Sequence, residues 1–203
     1  MRPSPVAVTG RDTGNISILA GGERDAFDRA MPALRCMGRR ILHTGPLGSA
    51  SVLKVITNYL ASANLAALAE AWAVAAKAGM DMATTYEAIS ASSGNSFVHE
   101  TESQVILNGS YNINFTLDLV MKDLGLFTDL ARRDEVPTEV ADAVESVFAD
   151  ARDCYGARAW SPRVISRLED RCALRVRAPG FPPELVDEES EEPGYEIGTV
   201  ARA

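Results

Sequence analysis

A long segment without helix-breaking residues, between Gly45 and Gly79, constrains the fold more than any other part of the chain. It has no proline after Pro46 and no glycine between Gly48 and Gly79. The sequence therefore predicts one helix, about 45 Å long at a rise of about 1.5 Å per residue. Helices of this length bridge two bodies or run through the middle of a helical one. Alanine dominates the second half of the segment, and small side chains let neighbouring helices approach closely, so we expect burial on several sides.

Both ends of this helix carry capping signals. Ser49 or Ser51 can place a side-chain oxygen on the unpaired backbone N–H groups of the first turn. Gly79 supplies the positive φ angle with which many helices end. We therefore expect the helix to begin just after Gly48 and to end at Gly79.

Two polar side chains, Lys54 and Asn58, stand in the first turns of the helix and share one face because they are four residues apart. The residues around Lys54 are all aliphatic: Val52, Leu53, Val55 and Ile56. A lysine in a partly apolar cleft loses solvation of its charged form, which lowers its pKa and lets it exchange a proton near neutral pH. The alternative is a lysine that extends to water from an ordinary amphipathic helix, and the spacing alone favours neither interpretation.

The pattern G-x-x-G-x-x-x-x-x-K-x-x-x-N, formed by Gly45, Gly48, Lys54 and Asn58, resembles the catalytic helix of the β-hydroxyacid dehydrogenases, the 3-hydroxyisobutyrate dehydrogenase group. The resemblance runs from Thr13 to about residue 168. The segment TGNISILAGGERDAFDRAMPALRCMGRRILHTGPLG is similar to the end of that family's nucleotide-binding domain, and FTLDLVMKDLGLFTDLA is similar to its second conserved helix. At Ala50 the chain departs from the family, in which a third glycine is common.

The resemblance implies an oxidoreductase that transfers hydride between a small β-hydroxy acid, of the 3-hydroxyisobutyrate type, and NAD or NADP. It implies that Lys54 moves the hydroxyl proton, that Asn58 binds the substrate, and that Lys122 of the K-D-L-x-L motif binds the cofactor. From the lysine-aspartate pair alone, Lys122 and Asp123 indicate only a solvated helix face. The family resemblance together with the amount of apolar helix surface predicts a homodimer or homotetramer.

Charge and composition exclude several other classes of function. The net charge of -8 argues against nucleic acids and anionic membranes as partners. Three widely separated cysteines and two histidines offer no metal-binding pattern and fit a reducing compartment. No secretory signal pattern opens the chain. We therefore expect a cytoplasmic protein without a metal, and with neither nucleic acid nor membrane as a partner.

The predicted fold is mainly α, a helical bundle organised on one long helix and preceded by a small βαβ remnant of a Rossmann-type domain. We divide the chain into a nucleotide-domain remnant (1–45), a helical substrate and dimerisation domain (46–175) and an acidic proline-rich tail (176–203). No G-x-G-x-x-G pattern occurs in the chain, and that loop holds the pyrophosphate in Rossmann domains. We therefore expect the N-terminal Rossmann region to be missing and the chain by itself to be inactive and to bind a dinucleotide only weakly.

Further helices are predicted at 82–90, 97–107, 115–131, 138–155 and 160–172, the last capped by Ser161. The polar loop before the second of them offers Ser93, Asn95 and Ser96 as ligands for a substrate carboxylate, although a helix cap plus loop is the more common use of such residues. The tail is expected to be extended, anchored at most by Phe181, Leu185 or Tyr195.

Two other functions stay open. One is a catalytically incompetent helical dimerisation module, a truncated relic of such an enzyme. The other is a relative that reduces imines, against which Lys54 argues because a proton-shuttling lysine suits alcohol and carbonyl chemistry.

Overall fold

The computed structural model describes residues 15–186, 190 and 192–198. The first fourteen residues of the predicted nucleotide-domain remnant thus lie outside the described residues. The chain divides into an α/β unit, made by residues up to Ile56 together with those from Val186 onward, and a helical unit, Thr57–Leu185. The elements in chain order are β1 (Ser17–Gly21), α1 (Arg24–Leu34), β2 (Arg40–Gly45), α2 (Ser49–Lys77), α3 (Met82–Ser90), α4 (Phe97–Asn108), α5 (Leu117–Arg133), α6 (Glu139–Tyr155), a 3-10 helix (Ser161–Ile165), α7 (Ser166–Arg171) and β3 (Tyr195–Glu196).

The α/β unit contains the predicted strand, helix and strand. Strands β1 and β2 are parallel, with Ser17 opposite Arg40. Helix α1 contributes the buried side chain of Phe27, whose ring centroid lies 4.8 Å from that of His43. A mainly helical chain with a small parallel sheet is the predicted fold class, which is confirmed.

The C-terminal segment adds a third parallel strand, β3, which the sequence did not predict. Tyr195 lies opposite Arg40, so the sheet order is β1-β2-β3. The Arg24 guanidinium donates to both carboxylate oxygens of Glu196, at 2.6 and 2.9 Å, and Arg39 pairs with Glu192. This strand is held by backbone pairing and by ion pairs. Neither kind of contact requires alternating hydrophobic residues, so the sequence carries no pattern that predicts the strand.

Helix α2 ends as predicted. Gly79 has a φ of 74°, and the N–H of Met80 donates to the carbonyl of Ala75 at 3.1 Å. At the other end, the hydroxyl of Ser49 bonds the hydroxyl of Thr44 at 2.7 Å.

Only one side of α2 enters the core of the helical unit. Leu65, Leu68 and Trp72 are buried, whereas Leu60 and Val74 are 51% and 69% exposed. The expectation of burial on several sides is therefore wrong within the part of the chain that the structure describes. By length and composition alone α2 would also qualify as a membrane-spanning helix.

A buried polar chain joins α2 to α4 inside the helical core. Trp72 Nε1 donates to Ser103 Oγ at 3.0 Å, and Ser103 Oγ lies 3.0 Å from His99 Nδ1. The other ring nitrogen, His99 Nε2, lies 3.0 Å from the backbone carbonyl of Tyr86. His99 is therefore a hydrogen-bonded core histidine, and burial lowers its pKa.

The last predicted helix is wrong in two respects. Residues 161–165 form a 3-10 helix before α7 begins, and no side-chain hydrogen bond caps it. Instead the N–H of Ser161 donates to the carbonyl of Phe115 at 2.8 Å, while the Ser161 hydroxyl is buried and has no hydrogen-bond partner among the described residues. This backbone link to the segment before α5, rather than a cap, fixes the entry of the chain.

Two of the three predicted anchors of the tail, Leu185 and Phe181, pack against the helical unit, whereas Tyr195 lies in β3 and is 47% exposed. Leu185 is buried, with 2% of its surface exposed. The Phe181 ring meets the Tyr86 ring edge-on, with centroids 5.0 Å apart.

Candidate active site

The first turns of α2 within the helical unit contact the middle of α5. Asn58 Nδ2 donates to Asp123 Oδ2 at 2.6 Å. One residue further along α2, the Tyr59 ring stacks on the Phe127 ring, with centroids 3.9 Å apart and planes 9° from parallel. Asp123 and Phe127 are four residues apart and therefore share one face of α5. The stacked rings thus hold the two helices in the register that the hydrogen bond requires.

Asp123 also pairs with its neighbour in sequence. Lys122 Nζ lies 3.1 Å from Asp123 Oδ1, and the side chains are 61% and 10% exposed respectively. A pair with one member this exposed adds little to stability, but it keeps a positive charge beside the buried carboxylate. We call Asn58, Lys122 and Asp123 the site cluster.

The hydrogen bond fixes the orientation of the Asn58 amide. An ionised carboxylate only accepts hydrogen bonds, so the amide nitrogen, not the amide oxygen, faces Asp123. The Oδ1 atom of Asn58 is then directed away from Asp123 as a hydrogen-bond acceptor. The site cluster can therefore accept a hydrogen bond through Asn58 and offer a cation through Lys122.

Lys54 lies one helical turn before Asn58 on α2 and is exposed. This differs from the partly apolar cleft that its aliphatic neighbours suggested. At 3.6 residues per turn, consecutive residues point to different sides of a helix, so residues adjacent in sequence do not enclose the lysine. One of them, Val52, is itself 37% exposed.

Of the three predicted site residues, the structure brings Asn58 and Lys122 together. Asp123, which was not among the predicted site residues, contacts both. In the sequence Asp123 and Lys122 indicate only a solvated pair, yet Asp123 is buried. A signal was available: Asp123 follows Val120 by three residues and precedes Phe127 by four, which places it on the apolar face of α5.

The polar loop before α4 has a structural use. The hydroxyl of Ser96 accepts from the N–H of His99 at 3.1 Å, as a helix N-cap does. Asn95 Nδ2 donates to Glu100 Oε1 at 2.7 Å. Cap and loop, rather than substrate binding, account for these contacts. Within the described ranges, no three His, Cys, Asp or Glu side chains are grouped as metal ligands.

Comparison with protein families matches residues 48–167 to the family described as the NAD-binding domain of NADP-dependent 3-hydroxyisobutyrate dehydrogenase. The matched range contains Lys54 and the whole site cluster.

Individual relatives agree with that match. The chain is 31% identical to the 2-(hydroxymethyl)glutarate dehydrogenase of Eubacterium barkeri, over 82% of this chain and 56% of the relative. It is 32% identical to the L-threonate dehydrogenase of Escherichia coli K12, over 70% and 48% respectively. The chain therefore spans about half the length of the curated relatives it matches.

Among solved structures, a 3-hydroxyisobutyrate dehydrogenase from Salmonella typhimurium superposes with a TM-score of 0.71 at 29% identity. The superposition covers 77% of this chain and 55% of that structure.

Proposed function

Since the chain belongs to the 3-hydroxyisobutyrate dehydrogenase family, we propose that it forms the helical, substrate-closing part of an NAD(P)-dependent oxidoreductase. The substrate is a small β-hydroxy acid of the 3-hydroxyisobutyrate type, and the reaction is a hydride transfer with a lysine as proton shuttle.

One observation carries the proposal. The Asn58 to Asp123 hydrogen bond of 2.6 Å joins the two motifs on which the family resemblance rests, although they lie 65 residues apart in sequence. The helix with the glycine, lysine and asparagine pattern and the helix with the K-D-L-x-L pattern therefore contribute to one site cluster.

The proton step belongs to Lys54. During oxidation of the alcohol the Lys54 amine takes the hydroxyl proton, and during reduction it returns that proton. The family resemblance, rather than burial of this exposed side chain, supports the role. The nicotinamide, when bound, accepts or supplies the hydride.

Binding and orientation belong to the site cluster. Asn58 Oδ1 accepts the hydrogen bond of the substrate hydroxyl, because Asp123 holds the amide nitrogen on the opposite side. Lys122 fits a phosphate or carboxylate oxygen of the cofactor or the acid, since its ammonium is exposed while Asp123 restrains it at 3.1 Å.

The test uses a completed enzyme, in which the chain is joined to the part of the L-threonate dehydrogenase of Escherichia coli K12 that the match does not cover. The completed enzyme is assayed with NAD and with NADP against 3-hydroxyisobutyrate, L-threonate and 2-(hydroxymethyl)glutarate, with 2-hydroxy acids of similar size as controls. We expect turnover with at least one β-hydroxy acid and at least a hundredfold lower kcat/KM for the 2-hydroxy acids. No turnover with any acid, in a folded protein that binds NAD or NADP, would refute the proposal.

A second candidate is a helical self-association module without turnover. The exposed apolar side chains of α2, Leu60 and Val74, favour it. The same assay separates the two, because a module of this kind self-associates but shows no dehydrogenase activity in the completed protein.

A further inference from the structure

The edge of β2 in the α/β unit is covered by a very short strand, β3, which consists of Tyr195 and Glu196. The N–H of Tyr195 donates to the carbonyl of Arg39 at 2.9 Å, and the N–H of Ile197 donates to the carbonyl of Ile41 at 2.8 Å. When an extended segment adds to a sheet edge in this way, main-chain hydrogen bonds hold it and its side chains decide which segments fit. The contacts of β3 therefore show which chemistry the β2 edge accepts.

The first requirement of this edge is a glycine just before the strand. Gly194 is buried, and its N–H donates to the carbonyl of Arg35 at 2.9 Å. A Cβ atom at position 194 would overlap the backbone carbonyl oxygen of Gly38 and would lie 3.0 Å from Cδ1 of Ile41. A backbone carbonyl cannot turn aside as the end of a flexible side chain can, so a residue other than glycine would push the segment off the edge.

The second requirement is a carboxylate two residues after that glycine. Both guanidinium nitrogens of Arg24 donate to Glu196, one to each carboxylate oxygen, at 2.6 and 2.9 Å. This two-bond pairing fixes the direction of the carboxylate as well as its charge. Arg39 adds a second cation, which pairs with Glu192 and lies 5.6 Å from the ring centroid of Tyr195. The β2 edge thus accepts the sequence Gly-x-Glu, with a further acidic residue before it.

The contacts that hold β3 lie at the protein surface. Tyr195 and Ile197 are 47% and 38% exposed, so little apolar surface leaves water when the strand pairs with β2. The side chains of Arg24 and Glu196 are 51% and 30% exposed, and an ion pair this accessible adds little stability and is screened by salt. The segment is therefore selected by its sequence but held weakly, which is the combination that exchange with another segment requires.

We propose that the β2 edge is a binding site for extended peptide segments with the sequence Gly-x-Glu, and that residues 194–196 of this chain are its exchangeable occupant. A Gly-x-Glu segment of another protein displaces β3 and becomes the third parallel strand, with its carboxylate on Arg24. The proposal concerns the α/β unit alone and does not depend on hydride transfer.

The first experiment measures amide hydrogen exchange of the ¹⁵N-labelled, 203-residue chain by NMR at low salt. In the parent chain the N–H groups of Tyr195 and Ile197 should be protected. Gly194→Ala should raise their exchange rates at least tenfold. Gly198→Ala is the matched control and should leave both rates unchanged, because a Cβ atom at position 198 would have no described atom within 4 Å.

Two further controls address charge and folding. Arg24→Glu should raise the same exchange rates at least tenfold, whereas Arg29→Glu, the same change of charge at another exposed position of α1, should not. The N–H of Arg39 donates to the carbonyl of Ile16 at 2.9 Å, on the β1 side of the sheet. It should exchange as in the parent in every variant, which shows that β1 and β2 stay paired.

The second experiment supplies the segment as a separate molecule. The probe is a fluorescein-labelled peptide with the sequence of residues 192–198, and fluorescence anisotropy measures its binding. We expect the Gly194→Ala chain to bind the peptide at least tenfold more tightly than the parent, whose edge is already occupied. Adding Arg24→Glu to Gly194→Ala should abolish binding, and a peptide with alanine in place of the first glycine should not bind. In the parent, an excess of unlabelled peptide should raise the exchange rate of the Tyr195 N–H, a measurement that needs no variant.

Three results would overturn the proposal. The first is a folded Gly194→Ala chain in which the Tyr195 N–H stays protected, because the edge would then not require glycine. The second is a released strand without tighter peptide binding, or peptide binding that Arg24→Glu leaves unchanged, because the peptide would then not occupy the β2 edge. The third is protection of the Tyr195 N–H that falls when the parent is diluted, because a second copy would then supply the strand.

Discussion

Two polar clusters of the helical unit differ in how completely their hydrogen-bonding groups are used. The first is the site cluster. The second, which we call the closed network, surrounds the carboxylate of Glu169, which is 2% exposed. Its Oε1 accepts from the N–H of Val176 and from Arg177 Nη1, both at 2.9 Å. Its Oε2 accepts from the hydroxyl of Tyr111 at 2.8 Å.

The difference between the two clusters suggests how to tell a structural group from a functional one. In the closed network both carboxylate oxygens bind protein donors, and Arg177 also donates to the carbonyl of Ile106 at 3.2 Å, so the network joins the segment after α7 to α4. In the site cluster the bond to Asp123 orients the Asn58 amide oxygen outward, and the Lys122 ammonium is exposed. A cluster with capacity left over can bind a ligand, whereas a saturated cluster only holds the fold together.

The sharpest test of this comparison is Lys54, four residues before Asn58 in the sequence. In the completed enzyme, Lys54→Ala should lower kcat by roughly 10²–10⁴-fold, the usual loss for a positioned acid or base. Cofactor affinity should stay within a few fold, and thermal stability should be unchanged because alanine is the better helix former. Lys54→Arg should not restore turnover, since a guanidinium stays protonated. Retention of more than about a tenth of the parent kcat would remove the proton-transfer role.

A substitution in the closed network should have the opposite effect, a loss of stability without a loss of activity. Glu169→Ala leaves Arg177 without its buried partner and should lower the free energy of unfolding by about 3 kcal/mol, the lower end of the range for broken buried pairs, because Arg177 is 35% exposed. Urea denaturation measures this loss. Glu169→Gln, which keeps the shape, should lose less. At urea concentrations below the unfolding transition, the kcat/KM of the completed enzyme with Glu169→Ala should equal that of the parent. A tenfold fall in kcat/KM under these conditions would contradict the distinction between the two clusters.

Glu102 resembles the closed network in being buried and the site cluster in having an unused hydrogen-bonding group. Its Oε2 is buried without a hydrogen-bond partner among the described residues. Burial raises its pKa from 4.5 to about 8. Between these values the folded state holds a proton that the unfolded state has lost, so stability should fall as pH rises from 5 to 8, by at most about 1.4 kcal/mol per pH unit. Above pH 8 this contribution should level off. Glu102→Gln should flatten the slope, and an unchanged slope in urea titrations would show that Glu102 does not cause it.

The smallest expected effect is that of Asp123→Ala. Without the carboxylate the Asn58 amide can turn over and present either its oxygen or its nitrogen to the substrate. We expect kcat/KM to fall about tenfold, about 1.4 kcal/mol, mainly through KM. Asp123→Asn keeps an acceptor for the amide and should recover part of the loss. A variant that loses only stability would place Asp123 with the closed network instead.

Local signals predicted the helices well. Helix α3 has its predicted bounds, Met82–Ser90, because Asp81 caps its start by accepting from the N–H of Thr84 at 2.7 Å. The end of α2 was likewise predicted from one nearby residue, Gly79, whose φ is positive. Such features depend on a few adjacent residues and are therefore visible in the sequence.

Features that depend on distant partners were not visible. The burial of Asp123 depends on Asn58, and β3 depends on Arg24 and Arg39. For Lys54 the spacing left two interpretations open, and the exposed side chain agrees with a lysine that extends to water. The family resemblance supplied Asn58 and Lys122 as candidate site residues. The orientation of the Asn58 amide could not be predicted, because it depends on Asp123, which lies 65 residues away in sequence.

Strand β3 also has a consequence for the order in which the protein folds during synthesis. Arg24 and Glu196 are separated by 172 residues, and β3 leaves the ribosome long after β1 and β2. All residues of the helical unit precede it, so that unit can fold while the sheet still lacks its third strand. At about 5–20 residues per second, the pause between the synthesis of β2 and of β3 lasts many seconds. Throughout that time the edge of β2 is exposed, and a nascent-chain chaperone has its opportunity to bind there.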